Sequence, residues 1–266
     1  MWSQMLEVRD VDEAHIEDVF RVCSHASMDK PLQRAGMELR RAWLRRMLAD
    51  YGPCAKVAYL DERPVAQLEF IPEEAIPYVP EPRVGVVQLR CVYNPFPEAR
   101  GKGAATALIR SLVDDCEKGL ASLKGEPCRF ITAEPFNTGE GTPMAKLYSA
   151  NGFETAGGEM YRLVRGNYVA STPVTYQPSP DDMDRAVALY NPTCEYSYSF
   201  AVRVKEFIKE VAPLLEVDLI DQWENPKESM RHGNHWFVVN ATPINGSWAD
   251  KEGLRAEVKM ALEKKW

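Results

Sequence analysis

Along the first 165 positions the apolar residues change period repeatedly, from every second position, the mark of a half-buried strand, to every third or fourth, the mark of an amphipathic helix. Residues 6–11 (LEVRDV) read as a strand. Asp12 then stands ready to cap a helix reaching about Cys23, with Ala14, Ile16, Val19, Phe20 and Val22 on one face. A second helix is predicted over 37–51, where Leu39, Trp43, Leu44, Met47 and Leu48 alternate with four arginines that read as its solvated face. AKVAYL (55–60), a turn at Asp61, Glu62 and Arg63, and PVAQLEFI (64–71) predict a β-hairpin. Four prolines across 72–83 exclude a regular element there and predict a long surface loop, placed to act as a lid. Strand 84–93 (VGVVQLRCVY) runs through a turn-rich stretch into a helix over 103–120. Strand 128–134, a short helix over 143–152 and strands 152–156 and 159–165 follow.

Residues 166–181 carry three prolines among small polar residues and read as a linker with the entry to a second domain. Beyond it the alternation resumes on a smaller scale. Strands are predicted at 185–191, 214–221 and 235–240, and helices at 197–211, through Phe200, Val202, Val204, Phe207 and Ile208, and at 251–264. The two halves differ in element order, so the chain is not an internal repeat.

Composition narrows the class of protein. With 266 residues, 45% of them hydrophobic and 27% charged, the chain can bury a core and fits two domains better than one. No apolar run approaches the length of a membrane-spanning helix, and the first residues lack the basic head and apolar stretch of a secretory signal. Six cysteines are scattered without a CxxC pair, as suits reduced thiols, so a cytoplasmic location is expected. The net charge is −7, and neither half has a basic excess, which argues against a nucleic-acid partner; membrane association is not expected either.

The stretch that carries chemistry is Arg100-Gly101-Lys102-Gly103-Ala104-Ala105, between a strand and a long amphipathic helix. Backbone N–H groups at a helix N-terminus point one way, small residues let an anion approach them, and the helix dipole, Arg100 and Lys102 add positive charge. A pyrophosphate suits such a nest. The spacing is neither GxxxxGK[ST] nor GxGxxG, since Thr106 stands at the third glycine position of the latter.

Arg100, Gly103 and Ala105 match the [Q/R]-x-x-G-x-[G/A] signature of the GNAT superfamily of N-acetyltransferases. LYSANGFE (147–154), about 40 residues on, is similar to that family's L-Y-x-x-x-G-F-E segment. The resemblance covers about residues 5–165. It implies a mixed, mostly antiparallel α/β sheet with flanking helices, and acetyl-CoA as donor and co-substrate with no metal. The implied acceptor is an amine on a small molecule or peptide. By position, Arg100, Gly101, Lys102, Gly103, Ala104 and Ala105 would hold the pyrophosphate. The backbone of Cys91, Val92 and Tyr93 would bond the acetyl carbonyl and the pantetheine arm, which Asn137 would also contact. Tyr148 would protonate the departing thiolate, as a phenol of pKa about 10 can. Asn94-Pro95-Phe96 adds about two residues to the family's usual spacing before the loop. Where some members carry a glutamate in the fourth strand, Gln88 and Arg90 stand here, so Glu69 and Glu134 are the candidates for general base.

The second half resembles a thioredoxin-like α/β module of the kind appended to some microbial GNAT proteins. Asn191-Pro192-Thr193-Cys194 would end its first strand, with Cys194 at a helix N-terminus that lowers a thiol's pKa and Ser197 where a second redox cysteine would stand. His232 and His235 lack the companions of a metal site. The resulting expectation is a GNAT acetyltransferase domain at 1–166, a linker at 167–181 and a thioredoxin-like domain at 182–266. The alternative is a coenzyme A-binding interaction protein or thiol sensor with vestigial catalysis, acting through Cys194.

Overall fold

The computed structural model describes residues 5–136, 142–233 and 235–264. It divides into two compact units, one from the described residues of 1–28, 41–76 and 81–171, the other from those of 29–40, 77–80 and 172–266.

The first unit is built on one seven-stranded sheet. Its strands are β1 (Leu6–Asp10), β2 (Ala55–Leu60), β3 (Arg63–Pro72), β4 (Val86–Tyr93), β5 (Phe130–Ala133), β6 (Glu154–Ala156) and β7 (Glu159–Leu163), in the order β1-β2-β3-β4-β5-β7-β6. Every pairing is antiparallel except β4 with β5. The helices are α1 (Ile16–Cys23), α2 (Pro31–Tyr51), α3 (Ala104–Lys118) and α4 (Met144–Ala150). The β2–β3 hairpin closes at Asp61 and Glu62, both with positive φ, the two-residue turn whose twist matches that of paired strands.

Leu68 and Phe70 of β3, Val87, Leu89 and Val92 of β4, and Leu108, Ile109 and Leu112 of α3 belong to the main core, each buried side chain contributing about 1.5–3 kcal/mol. Strict alternation along β4 would put Cys91, not Val92, on the face of Leu89. The ladder with β3 resolves this: Leu68 opposes Val92 and Glu69 opposes Cys91, but Phe70 opposes Leu89, so Arg90 is an extra residue in a β-bulge. The bulge returns Val92 to the core face and redirects Arg90.

The proline-rich stretch differs from the expected free surface loop. β3 extends to Pro72, Glu73–Ala75 form a 3-10 turn, and Glu73, Ile76 and Arg83 are buried. Arg83 donates to Glu73 at 2.7–3.0 Å and to Glu159, so an ion cluster ties the stretch down. Buried carboxylates and a guanidinium are tolerated because they are mutually paired.

The second unit has strands β8 (Arg185–Tyr190), β9 (Glu216–Asp221), β10 (Phe237–Val239) and β11 (Thr242–Pro243), in the order β11-β10-β8-β9. β8 and β9 are parallel and the other pairs antiparallel. α5 (Glu195–Val211), α6 (Pro226–His232) and α7 (Lys251–Glu263) complete it. Val204, Phe207 and Ile208 of α5, Val217 of β9, Phe237 of β10, and Leu254 and Val258 of α7 belong to its core. Hydrophobic periodicity did not reveal α6 or β11. The first is a seven-residue helix opened by Asn225-Pro226, the second a two-residue edge strand.

Two segments expected in the first domain belong to the second unit. α2 begins at Pro31, six residues before its apolar pattern does, because Pro31 suits a first helical turn. Its residues 29–40 pack against α5: a Cβ on Gly36 would fall 2.0 Å from the Glu195 carbonyl oxygen, and Arg40 donates to the Glu195 carboxylate at 2.6 Å, both side chains buried. Tyr78, in 77–80, accepts a hydrogen bond from Asn191 at 2.6 Å and sets its ring 6.3 Å from that of Trp223.

Candidate active site

β4 leads to the glycine loop through Asn94-Pro95-Phe96. The Asn94 side chain accepts from the Phe96 N–H at 3.2 Å and donates to the Ala99 carbonyl at 3.3 Å, folding the extra residues into a compact turn. Phe96 is held by the ring of His25 at 5.0 Å and by Arg63 at 4.7 Å, and Arg100 donates to the Pro95 carbonyl at 3.3 Å.

Gly101 and Gly103 have φ of +73° and +84°, a conformation that other residues adopt only with strain. Gly103 caps α3 without a side chain, and the first turn of α3 holds no acidic residue. The Ala107 N–H donates to the Gly103 carbonyl at 2.8 Å and opens the helical ladder, so the N–H groups before it have no intrahelical acceptor. Nothing lies within 4 Å of a Cβ placed on either glycine. The loop borders a cavity of about 420 Å³ together with Val92 and Tyr93 of β4, and with Thr142, Met144 and Leu147 at the start of α4. Open N–H groups, a helix dipole and the Arg100 side chain border one space, with Lys102 exposed nearby, an arrangement suited to a phosphate-bearing ligand.

β4 and β5 pair only from Val86↔Phe130 to Leu89↔Ala133. Beyond that point 90–93 form no ladder with β5, and two cavities meet β4: the larger at Val92, Tyr93 and Asn94, and one of about 210 Å³ at Gln88, Leu89 and Arg90.

Of the residues singled out by sequence, Arg100, Gly101, Gly103, Ala104, Ala105, Val92 and Tyr93 line the larger cavity, and Lys102 is exposed beside them. Cys91 is half-buried one residue before Val92, opposite Glu69. Tyr148 is fully buried on α4, its hydroxyl 3.8 Å from the Met144 sulfur and its ring 5.4 Å from that of Phe153. Burial first, and the Cys91 thiol second, push the Tyr148 phenol well above its usual pKa, so it stays protonated at neutral pH. Met144 lines the cavity and Tyr148 does not. Glu69 is buried in β3 and lines neither cavity, whereas Glu134 is exposed and lines the smaller one. Asn137 lies outside the described residues. Sequence alone did not single out Thr142 and Met144, which carry no motif and reach the site only through packing, and it named Asn94 and Leu147 without giving them a role.

In the second unit, Cys194 is exposed and caps α5. Ser197, at the position of a second redox cysteine, accepts from the Asn191 N–H at 2.9 Å. His232 lies within reach of Asp182 and Glu228, but these carboxylates already accept from Arg231, Arg185 and Tyr176, which leaves little donor capacity for a cation.

No family model and no curated sequence matches the chain. Solved structures similar to it include a GNAT family acetyltransferase from Brucella melitensis in complex with acetyl-CoA, at 16% identity over 64% of this chain and 95% of that one, with a TM-score of 0.42. The PaiA N-acetyltransferase from Thermoplasma acidophilum in complex with coenzyme A is similar at 13% identity over 60% and 99%, with a TM-score of 0.41. The ribosomal-protein-S18-alanine N-acetyltransferase from Escherichia coli is similar at 11% identity over 62% and 97%, with a TM-score of 0.39.

Proposed function

We propose that the chain is an acetyl-CoA-dependent N-acetyltransferase, with its donor in the larger cavity and a primary amine as acceptor. The observation that carries this proposal is the open end of α3: a two-glycine loop that, with Arg100, borders a cavity meeting β4 where it leaves β5. The residues present fit a pyrophosphate, since a Cβ on either glycine would meet only open space. The backbone of Cys91, Val92 and Tyr93, unpaired with β5, would bond the pantetheine arm and the acetyl carbonyl. Tyr148, kept protonated by burial, would give its proton to the departing thiolate once Met144 turns aside. Glu134 would receive the proton of the incoming ammonium.

The first unit would be a GNAT-type catalytic domain drawn from 1–166, and the second, past a linker at 167–181, a thioredoxin-like domain of 182–266 that 29–40 and 77–80 join. The strand order β11-β10-β8-β9, with β8, α5 and β9 forming a parallel crossover, supports that second assignment. Ser197 at the second thiol position argues against dithiol exchange there. A cytoplasmic setting is proposed with it, on the scattered cysteines of the sequence. Among the described residues no helix is long and apolar enough to cross a membrane.

Acetyl-CoA near millimolar concentration should raise the melting temperature, and Gly103→Glu should abolish that rise; no rise in the wild type refutes the proposal. Tyr148→Phe should lower kcat for thiol release by about 10²-fold while leaving the thermal shift intact.

A further inference from the structure

The smaller cavity, about 210 Å³, is lined by Gln88, Arg90, Thr132, Glu134, Phe136 and Glu159 around the ends of the β4–β5 pairing. Its volume is below the ~300–1,000 Å³ typical of sites for drug-sized ligands, so it suits a compact metabolite. Arg90 and Glu134 each follow the last paired residue of their strand, Leu89 and Ala133, and so flank the point where the strands separate. Arg90 is there because the β4 bulge takes it out of register with β3, and its guanidinium donates to Gln88 at 3.0 Å. Glu159 is buried and already accepts from Arg83 and from Tyr168, the latter at 3.0 Å. Glu134, by contrast, is exposed and has no hydrogen bond or ion pair among the described residues. The cavity therefore presents one cation and one accessible anion in its lining, with the half-exposed Phe136 ring beside them.

We propose that this cavity is the acceptor site and that the acceptor is a small amino acid, its carboxylate on Arg90 and its ammonium on Glu134; the proposal rests on the acetyl-transfer function above. A planar guanidinium binds a carboxylate through two parallel N–H bonds, which fixes the acceptor's orientation as well as its charge. Arg90 and Val92 are two residues apart on one strand, about 7 Å, so this cavity and the larger one border neighbouring stretches of β4. The nitrogen forms its bond to the acetyl carbon as the thioester C–S bond breaks. The ammonium gives up two protons in all: one leaves through Glu134 to water, and the other restores the Tyr148 phenol after it has protonated the thiolate.

The test is thiol release from acetyl-CoA by the full chain, comparing amino acids with the matching amines that lack the carboxylate: alanine with ethylamine, phenylalanine with phenethylamine. The amino acid of at least one pair should exceed its amine about tenfold or more in kcat/KM. Arg90→Gln should erase that preference by raising KM for the amino acid about tenfold or more, and keep the acetyl-CoA thermal shift. Amines turned over as well as amino acids, or a variant that slows both alike, overturns the assignment. An intact acetyl-CoA shift without acetylation of any amino acid overturns it too, while leaving the acetyl-transfer function standing. Absence of the shift in the wild type overturns that function and this inference together.

Discussion

Each unit contains a strand that turns into the N-terminus of a long helix, and the two junctions treat that terminus in opposite ways. At the β4–α3 junction two glycines with positive φ lead in, no side chain caps the helix, no acid occupies its first turn, and a cavity of about 420 Å³ borders it. At the β8–α5 junction no side chain caps the helix either, but side chains around it tie the strand end and the first turn down. Asn191 accepts from Thr193 at 3.1 Å and from the Trp223 indole at 3.1 Å, Ser197 accepts from Asn191, and Glu195 in the first turn is paired with the buried Arg40. Every helix carries the same partial charge and unmatched N–H groups at its start. A terminus beside a cavity is suited to a ligand, and one beside paired side chains becomes a structural joint.

The largest effect should come from breaking the closed junction. Glu195→Ala strands Arg40 in the interior and should cost about 3–5 kcal/mol in urea unfolding of the second unit, without altering acetyl-CoA binding. Next is the open junction, where Gly103→Glu should remove the stabilisation acetyl-CoA gives, about 2.7 kcal/mol at a hundred times Kd. A weaker effect is expected at Asp182. Burial alone would raise this carboxyl, but hydrogen bonds from Arg231 and Tyr176, with the charges of Arg231 and His232, prevail and hold it well below the usual value. A lowered folded-state pKa means stability that is complete above the unfolded value of about 3.9 and is lost as pH falls through the folded one, so Asp182→Asn should flatten the acid limb of the stability profile. The smallest effect belongs to Cys194→Ser. The exchange should move stability by less than about 0.5 kcal/mol and leave thiol release from acetyl-CoA unchanged; a loss of activity would instead point to the thiol.

How much of this was legible beforehand varied with the range of the interaction. The β2–β3 turn, the linker's lack of regular structure, the glycine loop and the helix behind it all follow from local residue types, and the sequence shows them directly. Arg90 looked like an ordinary strand residue, since a bulge exists only relative to the partner strand, and β3 lies some 20 residues upstream. Glu69 and Glu134 looked equivalent as carboxylates near strand ends. Pairing places the first in the buried middle of the sheet and the second on a cavity.

By itself, then, the sequence determined the order of most elements, the glycine loop before α3 and the family it resembles, because backbone preference and helix-end electrostatics act over a few residues. Only the tertiary structure decided which strands part at Leu89 and Ala133, that 29–40 and 77–80 join the second unit, and that Tyr148 sits behind Met144. The first two depend on packing and hydrogen bonds between residues far apart in the chain, and the third on how α4 is set against the sheet; no local pattern encodes those free energies.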